Sequence, residues 1–591
     1  MTSAGPPASP GIRGRFDDLR GGTALAFDRP FRVLSAHRPA DVLPVLAEVE
    51  RATEAGCWAF GYVGYEAAAG LDPDVVPRPG PDGLPLVVFA LSEPPAEVAP
   101  VIPPPGTDRD YVLGRWERGW TPQGHREDVA RVKDFIAAGE TYQLNLTVRL
   151  RASVDGNLDQ LYADLAWSQR GRYAALLDLG RFVVASASPE LFFEWTADEL
   201  LTRPMKGTAR RGRTTAEDAE LRARLVSSEK ERAENLMIVD LLRNDLGRLA
   251  EVGSVQVPAL FTPERYETVW QLTSDVTARP RPGTSLTDVF RALFPSGSVT
   301  GAPKRRAMEL IGQLEPEPRG VYCGAIGVVA PAGHPWRARF SVAIRTVTVD
   351  RATSIAVFGT GGGITWGSDA EAEHAELLAK AAILARPYEE FGLIETMAQL
   401  PGTGLRNLSR HLDRLADSAA YFGFPFDRAA AETRLADAVE GAAEARVRLV
   451  LHRDGTLDVD LAPLPAAGEG PVRLAVDPEP VDSSQVWLRH KTTRRGEYAR
   501  RAARHPGADD VVLVNERGLV TETTIAALAV RLDERWWTPP LSDGCLPGVE
   551  RGRLVDAGEL RERSLSVDEL SRAEALAVVS SLRGWRAAVL V

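Results

Sequence analysis

Cysteine is scarce in this chain: Cys57, Cys323 and Cys545 are the only three in 591 residues, and they lie far apart. They form neither a metal-ligand spacing nor a disulfide framework, so a reducing, cytoplasmic setting is expected. Long apolar runs are missing too. None approaches the roughly 20 residues that span a bilayer, and no membrane role is expected. The opening MTSAGPPASPGIRGRF has no apolar core and does not read as a secretory leader. Positive charge is not in excess: 70 Lys and Arg face 81 Asp and Glu, a net charge of −11. That argues against a nucleic-acid surface but says little about small anionic substrates, which respond to local charge. No internal repeat is visible. What remains is 44% hydrophobic and 26% charged, an ordinary globular composition with length for about two to four folding units.

The pattern along the chain suggests boundaries. Residues 1–15 are Pro/Gly/Ser-rich and expected to be disordered. Residues 16–110 alternate short apolar runs with turns and end in the proline-rich connector EPPAEVAPVIPPPGTD. In 111–388, HREDVARVKDFIAAGE reads as an amphipathic helix ending at Gly139. TYQLNLTVRLRA and RFVVASASPELFFEW read as strands, and RFSVAIRTVTVDRATSIAVFGTG as a hairpin. At 389–591 the pattern restarts as strand, turn and helix.

Two helix starts stand out, SEKERAENLMIVDLLRND and GSDAEAEHAELLAK, each with an E-x-x-E. Residues three apart share a helix face, so Glu231 and Glu234 point one way, as do Glu373 and Glu376. Capping is the plain reading: Ser228 with Glu231 and Ser368 with Glu371 fit capping boxes. Glu234, Glu373 and Glu376 lie outside the capping positions. Converging on one cleft, these carboxylates would suit Mg²⁺, which takes one or two protein carboxylates plus substrate oxygens.

The ordered segments GETYQLNLT, SASPELFF, RPMKGTARRG, EKERAENLMIVDLLRNDLGR, PSGSVTGAPKRRAMELI, VAIRT and GGGITWGSDAEAEHAELLAKA resemble the chorismate-utilising enzymes over about 270 residues. The resemblance implies an α/β (α+β) fold built on large antiparallel sheets. It implies Mg²⁺ held by Glu234 and Glu376 with Glu231 and Glu373 close by. It implies substrate contacts from Gln143, Arg345, Lys380 and the backbone of Gly361 and Gly362 in a glycine-rich turn. Gln143 stands where isochorismate and salicylate synthases carry a lysine that activates water. Lys206, in RPMKGT, is the mark of aminodeoxychorismate synthase, where anthranilate synthase resembles P-x-A-G-T. The implied role of Lys206 is nucleophile, which requires a partly neutral amine. Arg203, Arg210 and Arg211 flank it as possible causes. Glu190 would be the general acid, with a raised pKa. Gln271 stands where many relatives have histidine.

From 390 onward, LIETM, HLDRLADSA, RHKTTRRGEYARRA, VLVNERGLVTETTIAAL and LPGVERGRLV resemble fold-type IV pyridoxal-phosphate enzymes. The resemblance implies that Lys491 carries pyridoxal 5′-phosphate and that Glu522 sits by the pyridinium nitrogen. Arg414 and the backbone of Val549 and Glu550 would hold the phosphate. Three residues depart from the family pattern: Arg494 stands where the pattern has asparagine, Ala527 where relatives often have asparagine, and Glu550 where threonine is often found. Together the two resemblances imply conversion of chorismate and ammonia to 4-amino-4-deoxychorismate, then release of pyruvate to give 4-aminobenzoate for folate. The ammonia would come from a separate glutamine amidotransferase subunit, and the second region could form a homodimer. Alternatives are an anthranilate synthase component I, or a last third that is an aminotransferase or a non-catalytic module.

Overall fold

The computed structural model describes residues 11–104, 106, 108–384, 388–466 and 470–591. The chain forms two units, residues 1–210 with 222–389, and residues 211–221 with 390–591.

The first unit is built on an eleven-stranded and a ten-stranded antiparallel sheet. The strand Trp58–Val63 shows why both stay together. Every residue of WAFGYV is buried. Side chains alternate across a strand, so Trp58, Phe60 and Tyr62 join Ala175, Leu177 and Val184 of the eleven-stranded sheet. Ala59 and Val63 point the other way, into a cluster with Leu46, Ile238, Leu242 and Phe290 from helices. The ten-stranded sheet therefore buries one face against its partner sheet and the other under helices. The eleven-stranded sheet packs Phe358 and Ala185 against Tyr162 and Leu165 of the helix Leu158–Gln169.

Residues 12–15 are not disordered. Ile12–Asp18 is a strand between Thr23–Phe27 and Tyr173–Leu179, with Phe16 edge-on to Phe27 at 5.9 Å. Residues 1–10 lie outside the described residues. The expected helix near residue 125 is Pro122–Ala137, capped by Thr121. The proline-rich connector contributes a short strand, Ala96–Val98, against Thr23–Phe27.

The two acidic helices are Glu229–Gly247 and Ala370–Ala381. Ser228 Oγ accepts from the Glu231 amide at 3.3 Å, as the sequence suggests. The second cap differs. Asp369 caps the helix by accepting from the Ala372 amide at 2.9 Å. Ser368 instead donates to Glu373 at 2.7 Å. Aspartate is as good a cap as serine, and the shift of one residue frees Ser368 to fix a carboxylate. The glycine-rich GTGGG is not a turn either. It lies in the strand Ile355–Ile364, where Gly361, Gly362 and Gly363 pair with Thr147, Leu146 and Asn145 of Gln143–Gly156.

The second unit has a four-stranded antiparallel sheet and an eight-stranded mixed sheet with parallel pairs at Val472–Val476. One core gathers Leu393, Met397, Leu412, Leu415, Val447 and Leu449; another gathers Leu474, Val512, Leu528 and Val530. No helix among the described residues is long and apolar enough to cross a membrane.

A buried charge network braces the first unit. Glu315 accepts from the Thr147 amide and hydroxyl and from Arg319 at 2.6–3.0 Å. Arg319 also donates to the Val299 and Asn145 carbonyls at 2.7 and 2.8 Å. Removing one partner of a buried pair strands the other charge, at a cost of about 3–5 kcal/mol. Arg319→Met should therefore accelerate amide exchange at residues 145–149 and 315–322. Unchanged exchange there would show that the network carries no such load.

Candidate active sites

A cavity of about 140 Å³ in the first unit is lined by both acidic helices, the strand Met205–Arg210 and the glycine strand Ile355–Ile364. Lys206 projects from Met205–Arg210. Its amine lies 3.8 Å from Glu234 Oε2. A Cβ on Gly363 would stand 2.3 Å from Lys206 Nζ, so a larger residue there would displace the amine from its present position. The charged groups around Lys206 are carboxylates and not the flanking arginines. Arg203 is paired with Asp275 and Arg211 with Asp218, and none of Arg203, Arg210 and Arg211 lines the cavity. Sequence spacing misled here because Arg203 belongs to the preceding strand, Leu200–Arg203, and Arg211 lies past the end of Met205–Arg210.

Glu190 faces the same cavity and is buried. Burial pushes its carboxyl up to about 7, against the hydrogen bond from Ser298 and the charge of Lys206. Ser298 Oγ donates to Glu190 Oε1 at 2.6 Å and pairs with Ser296 Oγ at 2.9 Å. Asn235 escaped the sequence reading. Its amide donates to the Lys206 carbonyl at 3.1 Å, and its oxygen accepts from Ser274 at 2.6 Å. The legible signal was a polar residue inside ENLMIVDLL that is completely buried.

All four glutamates line this cavity. Among the described residues, however, no three His, Cys, Asp or Glu side chains are gathered closely enough to hold an ion by themselves. The expected four-carboxylate set is therefore not a preformed cage. Lysines are interposed: Lys380 meets Glu376 at 2.6 Å and Lys230 reaches Glu234 at 4.0 Å. Lys380 holds the Glu376 acid below its ordinary range. Glu231 is pushed up by burial and then by the charges of Glu234 and Glu376; Glu373 is pushed up by burial first. Such mutual repulsion fits a divalent cation, and oxygen donors on two facing helices suit Mg²⁺, which needs few protein ligands.

Arg345 lines the cavity with φ +53°, and its guanidinium donates to the Lys380 carbonyl. Burial pushes it down to about 10. Lys380 also donates to the Gly361 carbonyl at 2.7 Å. Gly361 lines the cavity, whereas Gly362 backs onto Glu373, 3.1 Å from where a Cβ would stand. Gln143 is fully buried, does not line the cavity, and neither amide atom has a protein partner. Gln271 donates to Thr208 Oγ1 at 3.3 Å.

The second unit holds a cavity of about 1150 Å³ lined by Lys491, Glu522, Arg414, Val549 and Glu550. Burial first, then Arg414 and Arg495, push the Lys491 amine down to about 8. Burial pushes Glu522 up to about 7. Tyr498 OH and the Leu546 amide donate to its two oxygens at 2.9 and 3.1 Å. Arg414 pairs with Glu395 and donates to the Pro547 carbonyl at 3.0 Å. Glu395, with His411 and Arg414 upon it, lies well below the usual carboxylate range, at about 2. Val549 and Glu550 open the helix Val549–Asp556, whose unpaired amides suit a phosphate. The Glu550 carboxylate is turned to Asn407 at 2.7 Å and Arg553 at 3.0 Å. A buried amine, a fixed carboxyl, an arginine and a helix N-terminus in one roomy cavity fit pyridoxal phosphate.

Residues 18–386 match the family described as chorismate binding enzyme, and residues 392–591 match amino-transferase class IV. Aminodeoxychorismate synthase component 1 of Escherichia coli (strain K12) is 40% identical over 48% of this chain and 61% of its own length. Anthranilate synthase component 1 of Aquifex aeolicus (strain VF5) is also 40% identical, over 48% of this chain and 56% of its own. The chain thus spans less than two-thirds of these curated relatives. The crystal structure of anthranilate synthase component I from Streptococcus pneumoniae TIGR4 superposes with a TM-score of 0.52 at 27% identity, covering 65% of this chain and 94% of that one. The chain belongs to the chorismate binding enzyme family, and its last third is an amino-transferase class IV region.

Proposed function

We propose that the first unit aminates chorismate at ring carbon 4 and that the second eliminates pyruvate from the product, giving 4-aminobenzoate, a folate precursor. The observation that carries this reading is Lys206 beside Glu190 in one cavity with four glutamates. Identity does not choose between the aminodeoxychorismate and anthranilate branches, since both relatives stand at 40%. The amine of Lys206 does, because only a covalent route has use for it.

In this reading the Lys206 amine, once it has given up its proton, bonds to the ring while the 4-hydroxyl departs with the proton of Glu190. Ammonia, from a separate amidotransferase subunit or from solution, then bonds to carbon 4 and displaces the lysine. Arg345 and Lys380 orient the carboxylates of chorismate. Mg²⁺ on Glu234 and Glu376, with Glu231 and Glu373 nearby, would supply positive charge to a substrate carboxylate. Gln143 in place of a lysine leaves no base to activate water.

In the second unit Lys491 would hold pyridoxal phosphate, which supplies an electron sink for loss of a ring proton. An amine near 8 can take and return that proton at Nζ close to neutrality. Glu522 would sit by the pyridinium nitrogen, and Arg414 with the amides of Val549 and Glu550 would hold the phosphate. Transamination is the second reading for this unit, favoured by the class IV match; keto-acid formation from branched-chain or D-amino acids would reveal it.

The acid role of Glu190 fixes a pH dependence. A carboxyl with a pKa of about 7 is protonated below that pH and ionised above it. The contribution of Glu190 to amination, taken apart from the supply of free amine, should be full below pH 7 and fall as pH rises through it. Glu190→Gln should erase that limb and slow amination by about 10²–10⁴-fold; a limb that survives the substitution belongs to another group.

Lys206→Ala should all but remove aminodeoxychorismate formation from chorismate, ammonium and Mg²⁺, leaving slow direct addition of ammonia. Normal formation would exclude Lys206 as nucleophile.

Lys491→Ala should accumulate aminodeoxychorismate and release no 4-aminobenzoate, read chromatographically without added lyase. Should the unsubstituted chain bind no pyridoxal phosphate and stop at aminodeoxychorismate, the two-step reading fails.

A further inference from the structure

Residues 211–221 fall within the stretch that matches the chorismate binding enzyme family, yet they pack in the second unit. We propose that this segment is a working part of the second active site, acting through Tyr421 and His490 to fix the backbone from which Lys491 projects. The proposal rests on the reading of Lys491 as the cofactor lysine.

The segment is locked before it meets the unit. Arg211 Nε and the Gly212 amide both donate to Asp218 Oδ1 at 2.8 Å. A Cβ on Gly212 would stand 2.1 Å from the Asp218 nitrogen, so the loop closes only with glycine there. Arg211 and Asp218 are both buried. Their pairing costs desolvation that must be offset by contacts, and the contacts are to Tyr421.

Those contacts are of three kinds. Arg211 Nη2 donates to the Tyr421 carbonyl at 2.9 Å. The guanidinium carbon lies 4.4 Å from the centre of the Tyr421 ring. Tyr421 OH donates back to the Gly212 carbonyl at 2.6 Å. The other face of this arrangement reaches the site. The Tyr421 ring stacks on His490, centroids 4.5 Å apart and planes at 29°. Phe422 meets the same imidazole edge-on at 4.9 Å, and Ser418 Oγ lies 2.9 Å from His490 Nδ1.

His490 immediately precedes Lys491. Burial foremost, with the charges of Arg211 and Arg489, pushes the imidazole down to about 4, so it is a neutral plate near pH 7. Just after it, the Lys491 carbonyl accepts from the Ile394 amide at 2.9 Å. The backbone at Lys491 is thus clamped on both sides, by a side-chain stack before it and a hydrogen bond within it. Catalytic groups must be held to within about half an ångström by residues that are themselves locked. Arg211, Tyr421 and His490 are positioning residues in that sense; none of them is placed on substrate.

The test uses the full chain and pyridoxal phosphate alone, followed by absorbance. Tyr421→Phe keeps the stacked ring and removes one hydrogen bond to the segment. Arg211→Gln removes the cation and alters the carbonyl contact. Each should weaken cofactor binding about three- to tenfold, the worth of one such bond, and move the pH midpoint of the bound cofactor's absorbance. Thr215→Val is the control. Its hydroxyl donates to the Asp417 carbonyl at 3.3 Å, a contact of the segment that involves neither Arg211 nor the Tyr421 ring, and it should bind the cofactor normally with an unmoved midpoint. Without any substitution, adding pyridoxal phosphate should slow amide exchange across 211–221.

Wild-type affinity and midpoint in both Tyr421→Phe and Arg211→Gln would overturn the proposal. So would equal weakening by Thr215→Val, or exchange that ignores the cofactor. A starting chain that shows no bound-cofactor absorbance overturns the Lys491 reading and the proposal with it.

Discussion

Like charges crowded out of water are the constraint on which the first unit depends. Two helices present four glutamates to one small cavity, and burial together with their neighbours' charges pushes Glu231 up. Three lysines answer them: Lys206, Lys230 and Lys380. The surrounding scaffold follows from this balance. Glycines 361 to 363 let carboxylate and amine approach the backbone, and Asn235 ties the first acidic helix to the carbonyl of Lys206 itself. A cation of small radius would relieve the repulsion, and two of the lysines it frees, Lys206 and Lys380, are the groups proposed to meet the substrate.

The two proposed lysines are placed in opposite fields. Lys206 looks out on carboxylates, whereas burial and two arginines, Arg414 and Arg495, push Lys491 down to about 8. The acids are tuned in a common direction by the same cause. Glu190 lies just before the strand Leu191–Thr196 of the first unit and Glu522 on the strand Val520–Thr523 of the second, and burial brings each to about 7. Each keeps hydrogen-bond donors on its oxygens, which stops burial from raising it further. One physical device, a carboxyl desolvated but not abandoned, serves two chemistries.

Much of the site was legible because motif and helix periodicity agree. E-x-x-E at two helix starts put four carboxylates on one cavity, and RPMKGT and RHKTT each put a lysine where a cavity lies. What was hidden depended on strand geometry and chain return. GTGGG looks like a turn, yet its pairing with Gln143–Gly156 makes it a strand. Arg203 and Arg211 look like neighbours of Lys206, but neither shares its strand, and they pair with Asp275 and Asp218. The cap moved by one residue because both Ser368 and Asp369 can serve. Residues 211–221 could not be assigned to the second unit from sequence, since nothing local in RGRTTAEDAEL announces a partner two hundred residues away.

The departures from the fold-type IV pattern at the proposed second site each find packing or pairing partners. Arg494, where asparagine is usual, lays its guanidinium over Trp487 at 4.5 Å and Phe391 at 5.0 Å, so it serves an aromatic cluster. Ala527 lies against the cap of the helix Val549–Asp556: a Cβ on Gly548 would stand 3.7 Å from its own. A larger residue there would press on the turn whose amides face the cavity. Glu550 brings a negative charge to a place meant for an anion, which on its own would oppose phosphate. The carboxylate is instead turned away and held by Asn407 and Arg553. Its backbone amide still opens the helix, and a phosphate needs the amide, not the side chain. At the proposed phosphate site, Glu550 therefore lacks the hydroxyl of threonine while its carboxylate is occupied by Asn407 and Arg553.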